Sequence, residues 1–429
     1  MKKLSAAIII NPSEKVNLAS RKRTKKEKKS GFGRKSVKNG QRKSRGEKFP
    51  KKSENFPESA EDCLTFPKIL WYDIFKSIGE KGNEKMKETM YAYAAFAPDK
   101  IERITLPIPE PDDYEVLVKN EGCAFCNCTD KMIVESLFAT KAYPVVFGHE
   151  SFGKVVKVGK RVKSFALGDR VICTNAIVTG YNGEYYSSWG GFAEYGIAGD
   201  LAAYLADGGT LDEKNAYRAR YAANSKIPSD LPPEKACLLF PLAETAGALL
   251  QAGDVKGKTV AVIGTGIVGY FFTYFAKMYG AAHVICLGRR RERLAIAEAL
   301  GADATFIDIE EAAEALRTRG GADFVFECSG NHKVFENGLP YLKEGGTLAA
   351  YAVSTESYAF DLARFPRSFS YKRIDPDVPR ALDFVCKLMR EGKVPTEILL
   401  THRWHFDEVP EAYRTVRRGE VIKGLVAIE

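Results

Sequence analysis

One glycine-rich turn constrains the fold of this chain more than any other feature. The apolar run at residues 258–263 (KTVAVI) leads directly into residues 264–269 (GTGIVG), which have the spacing Gly-x-Gly-x-x-Gly. A helical pattern follows, and a second apolar run at residues 282–287 closes a βαβ unit. This order predicts a doubly wound parallel sheet with helices on both faces, beginning after about residue 233.

The same turn predicts a dinucleotide site. Gly264 permits the tight turn, Gly266 lets the backbone approach a pyrophosphate, and Gly269 lets helix and strand pack closely. Amides at the helix N-terminus would then hold the pyrophosphate. The cofactor-binding residues predicted in this turn are Gly264, Gly266, Ile267, Val268 and Gly269.

The end of the second strand predicts which dinucleotide binds. An NAD site usually has an aspartate or glutamate there, whereas this chain has Gly288 followed by Arg289, Arg290 and Arg291. Guanidinium groups match a 2′-phosphate with paired hydrogen bonds. We therefore predict that Arg289 and Arg290 bind the cofactor and that NADP is preferred to NAD. A solvated run of arginines at a helix start is the alternative.

Candidate metal ligands lie in the earlier part of the chain, where alternating apolar residues and turns indicate β-structure up to about residue 200. Cys126 and Cys128 precede His149 and Glu150 by about twenty residues, in a chain with only 5 histidines. Zinc accepts thiolate, imidazole and carboxylate ligands, and a catalytic zinc keeps one position open. A lone histidine near free cysteines is more often structural, so the wider pattern decides.

That wider pattern resembles the zinc-dependent medium-chain dehydrogenases of the alcohol and sorbitol dehydrogenase type. The resemblance covers residues from about 91 to 429 and rests on residues 148–171, from GHE to GDRV, with the nucleotide turn at the expected later place. It implies an α/β fold in which a GroES-like β-domain carries zinc and a Rossmann domain is inserted before its last strands. We place the first domain at 86–245 and 375–429, and the second at 246–374.

The resemblance also implies roles for single residues. Cys126 corresponds to the first zinc ligand and His149 to the second, with Glu150 beside the metal as an alternate ligand. Lys423 lies where a basic side chain often meets the cofactor, and a solvated charge at the end of a strand is the alternative. The cysteines of a second, structural zinc site are absent from the sequence, so one catalytic zinc per subunit is expected.

Two departures from the family pattern need explanation. Phe240 occupies the usual third-ligand position and cannot bind metal, so we predict that Glu244, about one helical turn further on, replaces it. A carboxylate favoured by the helix dipole is the other interpretation of Glu244. Three residues rather than two separate Cys126 from Asp130. Thr129 is therefore our candidate for the hydroxyl that relays the alcohol proton.

These features predict an oxidoreductase that transfers hydride between an alcohol or a polyol or sugar carbon and NAD(P). A zinc-free quinone or enoyl reductase on the same scaffold is the alternative, but it would lack Cys126 and His149. We expect a cytoplasmic homo-oligomer, either dimer or tetramer, with a small-molecule substrate. The chain has no run of about 18 apolar residues, so no membrane span is expected. The segment 199–220 is longer than the family needs and is a candidate lid or subunit contact.

The first 85 residues differ from the rest of the chain. Residues 1–52 carry a net charge of +16, although the whole chain carries only +9. Few apolar residues are available to offset the entropy of ordering, so the sequence predicts a disordered extension. Such a segment could bind nucleic acid through its charge, which is the remaining functional alternative. Translation starting at Met86 is a further hypothesis.

Overall fold

The computed structural model describes residues 88–135, 142–307, 309–330, 341–352 and 368–428. The predicted disordered extension and the hypothesis of a start at Met86 lie outside these residues. The helices are α1 (Thr129–Val134), α2 (Leu201–Ala206), α3 (Pro233–Ala252), α4 (Ile267–Met278), α5 (Arg291–Ala299), α6 (Ile309–Arg317), α7 (Val378–Arg390), α8 (Thr396–Leu399) and α9 (Val409–Arg417), with 3-10 helices at Ala216–Ala223 and Phe406–Glu408.

The strands fall into three sheets. Those before the glycine-rich turn are β1 (Thr89–Ala97), β2 (Lys100–Pro107), β3 (Glu115–Ala124), β4 (Val145–Val146), β5 (Glu150–Val158), β6 (Arg170–Ile172), β7 (Tyr186–Ser187), β8 (Tyr195–Gly199) and β9 (Lys226–Ile227). The others are β10 (Thr259–Ile263), β11 (His283–Leu287), β12 (Ala304–Phe306), β13 (Ala322–Glu327), β14 (Leu342–Ala350), β15 (Ser370–Arg373), β16 (Leu400–His405) and β17 (Lys423–Ala427).

The largest of the three sheets has seven strands and lies next to Cys126, His149 and Glu150, the predicted metal ligands. Its order is β16-β17-β3-β5-β6-β9, with β8 also paired to β3, and a smaller sheet has the order β2-β1-β4-β7. Strand β3 therefore lies between β5, which follows it in sequence, and β17, which comes from the far end of the chain. In the β3–β5 register Ala124 is opposite Glu150, and in the β3–β17 register it is opposite Leu425. These two pairings bring the ends of three strands to one place.

The six-stranded sheet has the order β12-β11-β10-β13-β14-β15, and all of its pairings are parallel. Strand β10 is buried along its whole length, and alternate residues enter different cores. Val260 and Val262 pack in the core that includes α4, whereas Ala261 and Ile263 pack in the core that includes α6. Burial on both faces explains the uninterrupted apolar run in the sequence. The structure confirms the predicted α/β fold with a parallel sheet.

Helix α3 connects the two parts of the fold. It packs on β3 and β5 of the first sheet and on α4 and α7. Pro241 lies inside this helix and has no amide hydrogen to donate, while the Thr245 hydroxyl donates to the Pro241 carbonyl at 2.9 Å. The helix presents Phe240 and Glu244 beside the ends of β3 and β5. Within the described residues, no helix combines the length and the apolar character needed to cross a membrane.

Candidate active site

Three of the predicted metal ligands lie together where β3, β5 and β17 meet. One ligand atom each from Cys126, His149 and Glu150 lies within 4.8 Å of the other two. His149 and Glu150 are buried, and Cys126 is half-buried. The strand pairing causes this convergence, because Cys126 follows the end of β3 and Glu150 begins β5. A thiol, an imidazole and a carboxylate at this spacing are a donor set that fits zinc.

Asp130 positions two of these groups. Its carboxylate lies 3.2 Å from His149 Nδ1, and its second oxygen accepts a hydrogen bond of 2.9 Å from the Cys126 amide. The Asp130 amide donates in turn to the Cys126 carbonyl at 3.2 Å, which closes a helical turn. The extra residue between Cys126 and Asp130 is therefore absorbed in this turn. Because Nδ1 is engaged by a carboxylate, Nε2 of His149 is left to bind a metal.

The groups around His149 favour the protonated form of its imidazole. Burial lowers the pKa of His149, but the Asp130 carboxylate and the Cys126 sulfur raise it, and the net result lies well above the ordinary value. In the metal-free chain the imidazole therefore binds its proton more tightly than an ordinary histidine does. A bound cation would displace that proton, because only the neutral imidazole is a ligand.

Lys423 forms a buried ion pair with Glu150. Its Nζ lies 2.5 Å from Glu150 Oε2 and donates to the Phe125 carbonyl at 2.9 Å, and neither charged side chain is accessible to solvent. Burial lowers the pKa of Lys423, but Glu150 raises it above its ordinary value. Lys423 is not among the residues that line the nucleotide cleft. Its assignment to the cofactor stays a prediction; in the structure Lys423 contacts Glu150, because β17 runs beside β3.

Phe240 and Glu244 line a cavity together with His149. The Phe240 ring is 6.1 Å from the His149 ring in an edge-on arrangement. Glu244 is buried but lies outside the close group formed by Cys126, His149 and Glu150. Burial raises the pKa of Glu244 to about 7, although His149 acts in the opposite direction. Its role as third ligand stays a prediction.

The proton relay assigned to Thr129 also stays a prediction. Thr129 is buried at the first position of α1, and it is not among the residues lining the cavity beside His149 or the nucleotide cleft. The neighbouring Cys128 precedes the helix with its side chain exposed. Of the two cysteines at 126 and 128, only Cys126 belongs to the group at metal-binding spacing in the described part of the chain.

The cavity beside His149 has a volume of about 620 Å³. Trp189 and the 3-10 helix Ala216–Ala223 line it, and the latter carries Arg220 at the end of the long segment predicted as a lid or subunit contact. Sequence reasoning gave Arg220 no role, because nothing in the run YRARYAA distinguishes it from Arg218. The structure distinguishes them: Arg218 pairs with Asp112, whereas Arg220 faces the cavity.

The predicted nucleotide site is a cleft of about 520 Å³ at the end of β10. Gly264 and Gly266 line it, and the space beside Gly266 is open. A Cβ on Gly269 would lie 1.9 Å from the Gly264 carbonyl oxygen, so only glycine permits this packing of helix on strand. Ile267 begins α4 with Val268 next to it, so their amides belong to the helix N-terminus. Backbone approach and an open helix N-terminus are what a pyrophosphate requires.

The arginines after β11 differ in their contacts. Arg290 pairs weakly with Glu292 at 3.9 Å, and Arg293 donates to the Gly419 carbonyl at 3.0 Å. Arg289 lines the cleft, is exposed, and has no ion pair with any residue in the described ranges. The cleft therefore has an available guanidinium at the position where β11 ends without an acidic residue.

Two known protein families match separate parts of the chain. Residues 112–206 match the family described as alcohol dehydrogenase GroES-like domain, and residues 268–374 match the zinc-binding dehydrogenase family. The chain is 30% identical to L-threonine 3-dehydrogenase of Coxiella burnetii over 267 residues, 59% of this chain and 74% of that protein. It is 27% identical to sorbitol dehydrogenase of Halalkalibacterium halodurans over 332 residues, 75% of this chain and 93% of that protein.

Solved structures share the same fold. A zinc-binding dehydrogenase of Sinorhizobium meliloti bound to NADP aligns with a TM-score of 0.62 and 25% identity, over 80% of this chain and 100% of that one. Galactitol-1-phosphate dehydrogenase of Escherichia coli aligns with a TM-score of 0.65 and 21% identity, over 79% and 100%.

The two domains define a dehydrogenase with a GroES-like catalytic part and a Rossmann nucleotide-binding part. The chain belongs to the zinc-dependent medium-chain dehydrogenase/reductase family. The resemblance inferred from the GHE and GDRV segments is thereby confirmed, as is the combination of a GroES-like domain with a parallel Rossmann sheet.

Proposed function

We propose that this chain is a zinc-dependent oxidoreductase that transfers hydride between an alcohol or polyol carbon and NADP. The observation that carries the proposal is the convergence of Cys126, His149 and Glu150, because His149 of this group also lines a cavity. A substrate in this cavity would lie beside His149, one member of the metal-binding group. The cleft at the end of β10 supplies a separate place for the nucleotide.

The residues of the chain have distinct tasks in this proposal. When bound, zinc supplies Lewis acidity toward the substrate oxygen, and the nicotinamide cofactor supplies the hydride chemistry. Cys126 and His149 hold the metal, and Asp130 fixes the imidazole in the orientation that leaves Nε2 free. The rings of Trp189 and Phe240 exclude water beside His149. Thr129 is the proposed carrier of the alcohol proton.

A metal assay combined with turnover tests this function. The purified chain should contain about one zinc per subunit and should oxidise members of a panel of alcohols and polyols with NADP. Absence of both zinc and turnover would contradict the proposal. Zinc-independent reduction of quinones or enoyl compounds would favour the alternative reductase.

The preference for NADP leads to a prediction about Arg289. Replacing Arg289 by alanine should raise the KM for NADP by about 10- to 100-fold, because a charge-assisted hydrogen bond to the 2′-phosphate is lost. The KM for NAD should change little. Arg291→Ala is the matched control, because Arg291 does not line the cleft. Equal changes in the KM for NADP and for NAD would show that Arg289 does not bind the 2′-phosphate.

The buried carboxyl of Glu244 supports its proposed role as third ligand. With its pKa raised to about 7 by burial, it is costly to ionise in the metal-free chain, and a nearby cation would remove that cost. Replacing Glu244 by glutamine should lower zinc content after dialysis against a weak chelator. Unchanged zinc occupancy in the Glu244→Gln variant would rule out the ligand role.

The same carboxyl makes stability depend on pH in the zinc-free protein. Its pKa is raised in the folded chain from the ordinary value of 4.5 to about 7, so the folded chain binds the proton more tightly. That contribution is present in full below pH 4.5 and is lost as the pH rises through 7. Between pH 5 and pH 8 the wild type should lose about 2–3 kcal/mol more than Glu244→Gln in urea unfolding. Parallel pH profiles of the two proteins would contradict the assignment.

A further inference from the structure

Arg220 is the feature of the cavity that hydride transfer itself does not use. Its guanidinium carbon lies 5.6 Å from the centre of the Trp189 ring, and the Trp189 ring lies 5.3 Å from the His149 ring. One indole therefore contacts both the cation and the catalytic imidazole. Arg220 and His149 line the same cavity, so a single small molecule could touch both.

The Arg220 side chain is half-buried, and its guanidinium has no partner in the described part of the chain. Its Nη1 atom is inaccessible to solvent and makes no hydrogen bond, and among the described residues no carboxylate pairs with it. Burial lowers the pKa of Arg220, although a guanidinium remains protonated at neutral pH. A partly buried charge without a partner is unfavourable, and an anion bound at Arg220 would offset that cost.

The carboxylates that line the cavity do not pair with Arg220. Asp377 accepts a hydrogen bond of 2.7 Å from Arg380, and Glu213 is exposed. Glu244 also lines the cavity, and within the described residues no ion pair joins it to Arg220. By contrast Arg218, two residues earlier on the same 3-10 helix, is paired with Asp112. The chain therefore supplies a carboxylate to Arg218 and leaves Arg220 for a ligand.

We propose that the substrate is an alcohol that carries an anionic group, a carboxylate or a phosphate, and that Arg220 binds this group while the hydroxyl faces His149. This inference rests on the proposed function and names its substrate class. A guanidinium binds either anion with two parallel hydrogen bonds, and stacking on Trp189 fixes its plane. The cavity volume of about 620 Å³ is within the range of small-molecule sites.

Matched substrate pairs test the inference. The kcat/KM of the zinc-loaded enzyme with NADP would be measured for 3-hydroxybutyrate against 2-butanol, and for sorbitol 6-phosphate against sorbitol. We expect the wild type to prefer the anionic member of at least one pair. Arg220→Gln should lower kcat/KM for that member by about 10- to 100-fold, mainly through KM, and leave the neutral member within about threefold. Arg220→Lys should recover part of the loss.

The control is Arg319→Gln, which removes an exposed arginine at the end of α6, far in sequence from the cavity. Preference for the neutral member in both pairs, or an equal effect of Arg220→Gln on both members, would overturn the inference and leave the proposed function intact. If no alcohol is turned over, the proposed function fails instead. Calorimetric titration of the two anionic compounds then decides: binding lost in Arg220→Gln supports the anion site, and no binding to wild type overturns it.

Discussion

Replacing Cys126 by serine is expected to reduce bound zinc to less than about a tenth of the wild-type amount and to abolish most of the turnover. Cys126 is the only thiol in the close group with His149 and Glu150 among the described residues, and zinc–thiolate bonding cannot be replaced by a hydroxyl. Loss of a direct ligand should exceed the about 10- to 100-fold loss of affinity typical when an outer-shell partner is removed. Zinc content by mass spectrometry and kcat/KM with NADP check both effects.

Cys128→Ser is the matched control for this prediction. Cys128 lies two residues away, is exposed, and does not belong to the metal-binding group. Its replacement should leave zinc content unchanged. The opposite result, with zinc lost in Cys128→Ser and kept in Cys126→Ser, would mean that Cys128 and not Cys126 is the first zinc ligand. The contacts of Asp130 favour Cys126, because Asp130 binds both the Cys126 amide and His149.

Replacing Lys423 by methionine is expected to have the largest effect on stability. The change keeps the length of the side chain but leaves the Glu150 carboxylate buried without its partner. Breaking a buried ion pair by removing one member typically costs about 3–5 kcal/mol. Urea unfolding of the zinc-free protein at neutral pH measures the loss directly.

The double variant Lys423→Met/Glu150→Gln separates charge from packing. Removing both charges should recover much of the stability lost in the single variant, because no uncompensated ion remains. A loss below about 1 kcal/mol in Lys423→Met would show that water or another cation already compensates Glu150. A loss that is equal in the single and double variants would assign the effect to packing.

Local patterns in the sequence predicted the parts of this protein that depend on nearby residues. The run KTVAVI followed by GTGIVG predicted β10, the tight turn and α4, because burial on both faces and glycine geometry act over a few positions. Cys126, His149 and Glu150 were predicted together from the resemblance, and the β3–β5 register explains why they converge.

Contacts between distant segments could not be predicted in this way. The ion pair between Lys423 and Glu150 was not predicted, because it depends on how β17 pairs with β3. Arg220 and Arg218 are indistinguishable in sequence, and only the placement of Asp112 separates them. The helical turn that absorbs the extra residue before Asp130 likewise becomes visible only with backbone hydrogen bonds.

The pairing of β17 with β3 has a consequence for how the enzyme matures. Glu150 and Lys423 are separated by 273 positions in the chain, and the whole parallel sheet lies between them. During synthesis β5, which begins with Glu150, is made long before β17, which begins with Lys423. Loop closure of this length must therefore be complete before the charge at Glu150 is balanced. The Glu150–Lys423 ion pair can therefore form only after β17 has been made, and by then every residue of the parallel sheet has been synthesised.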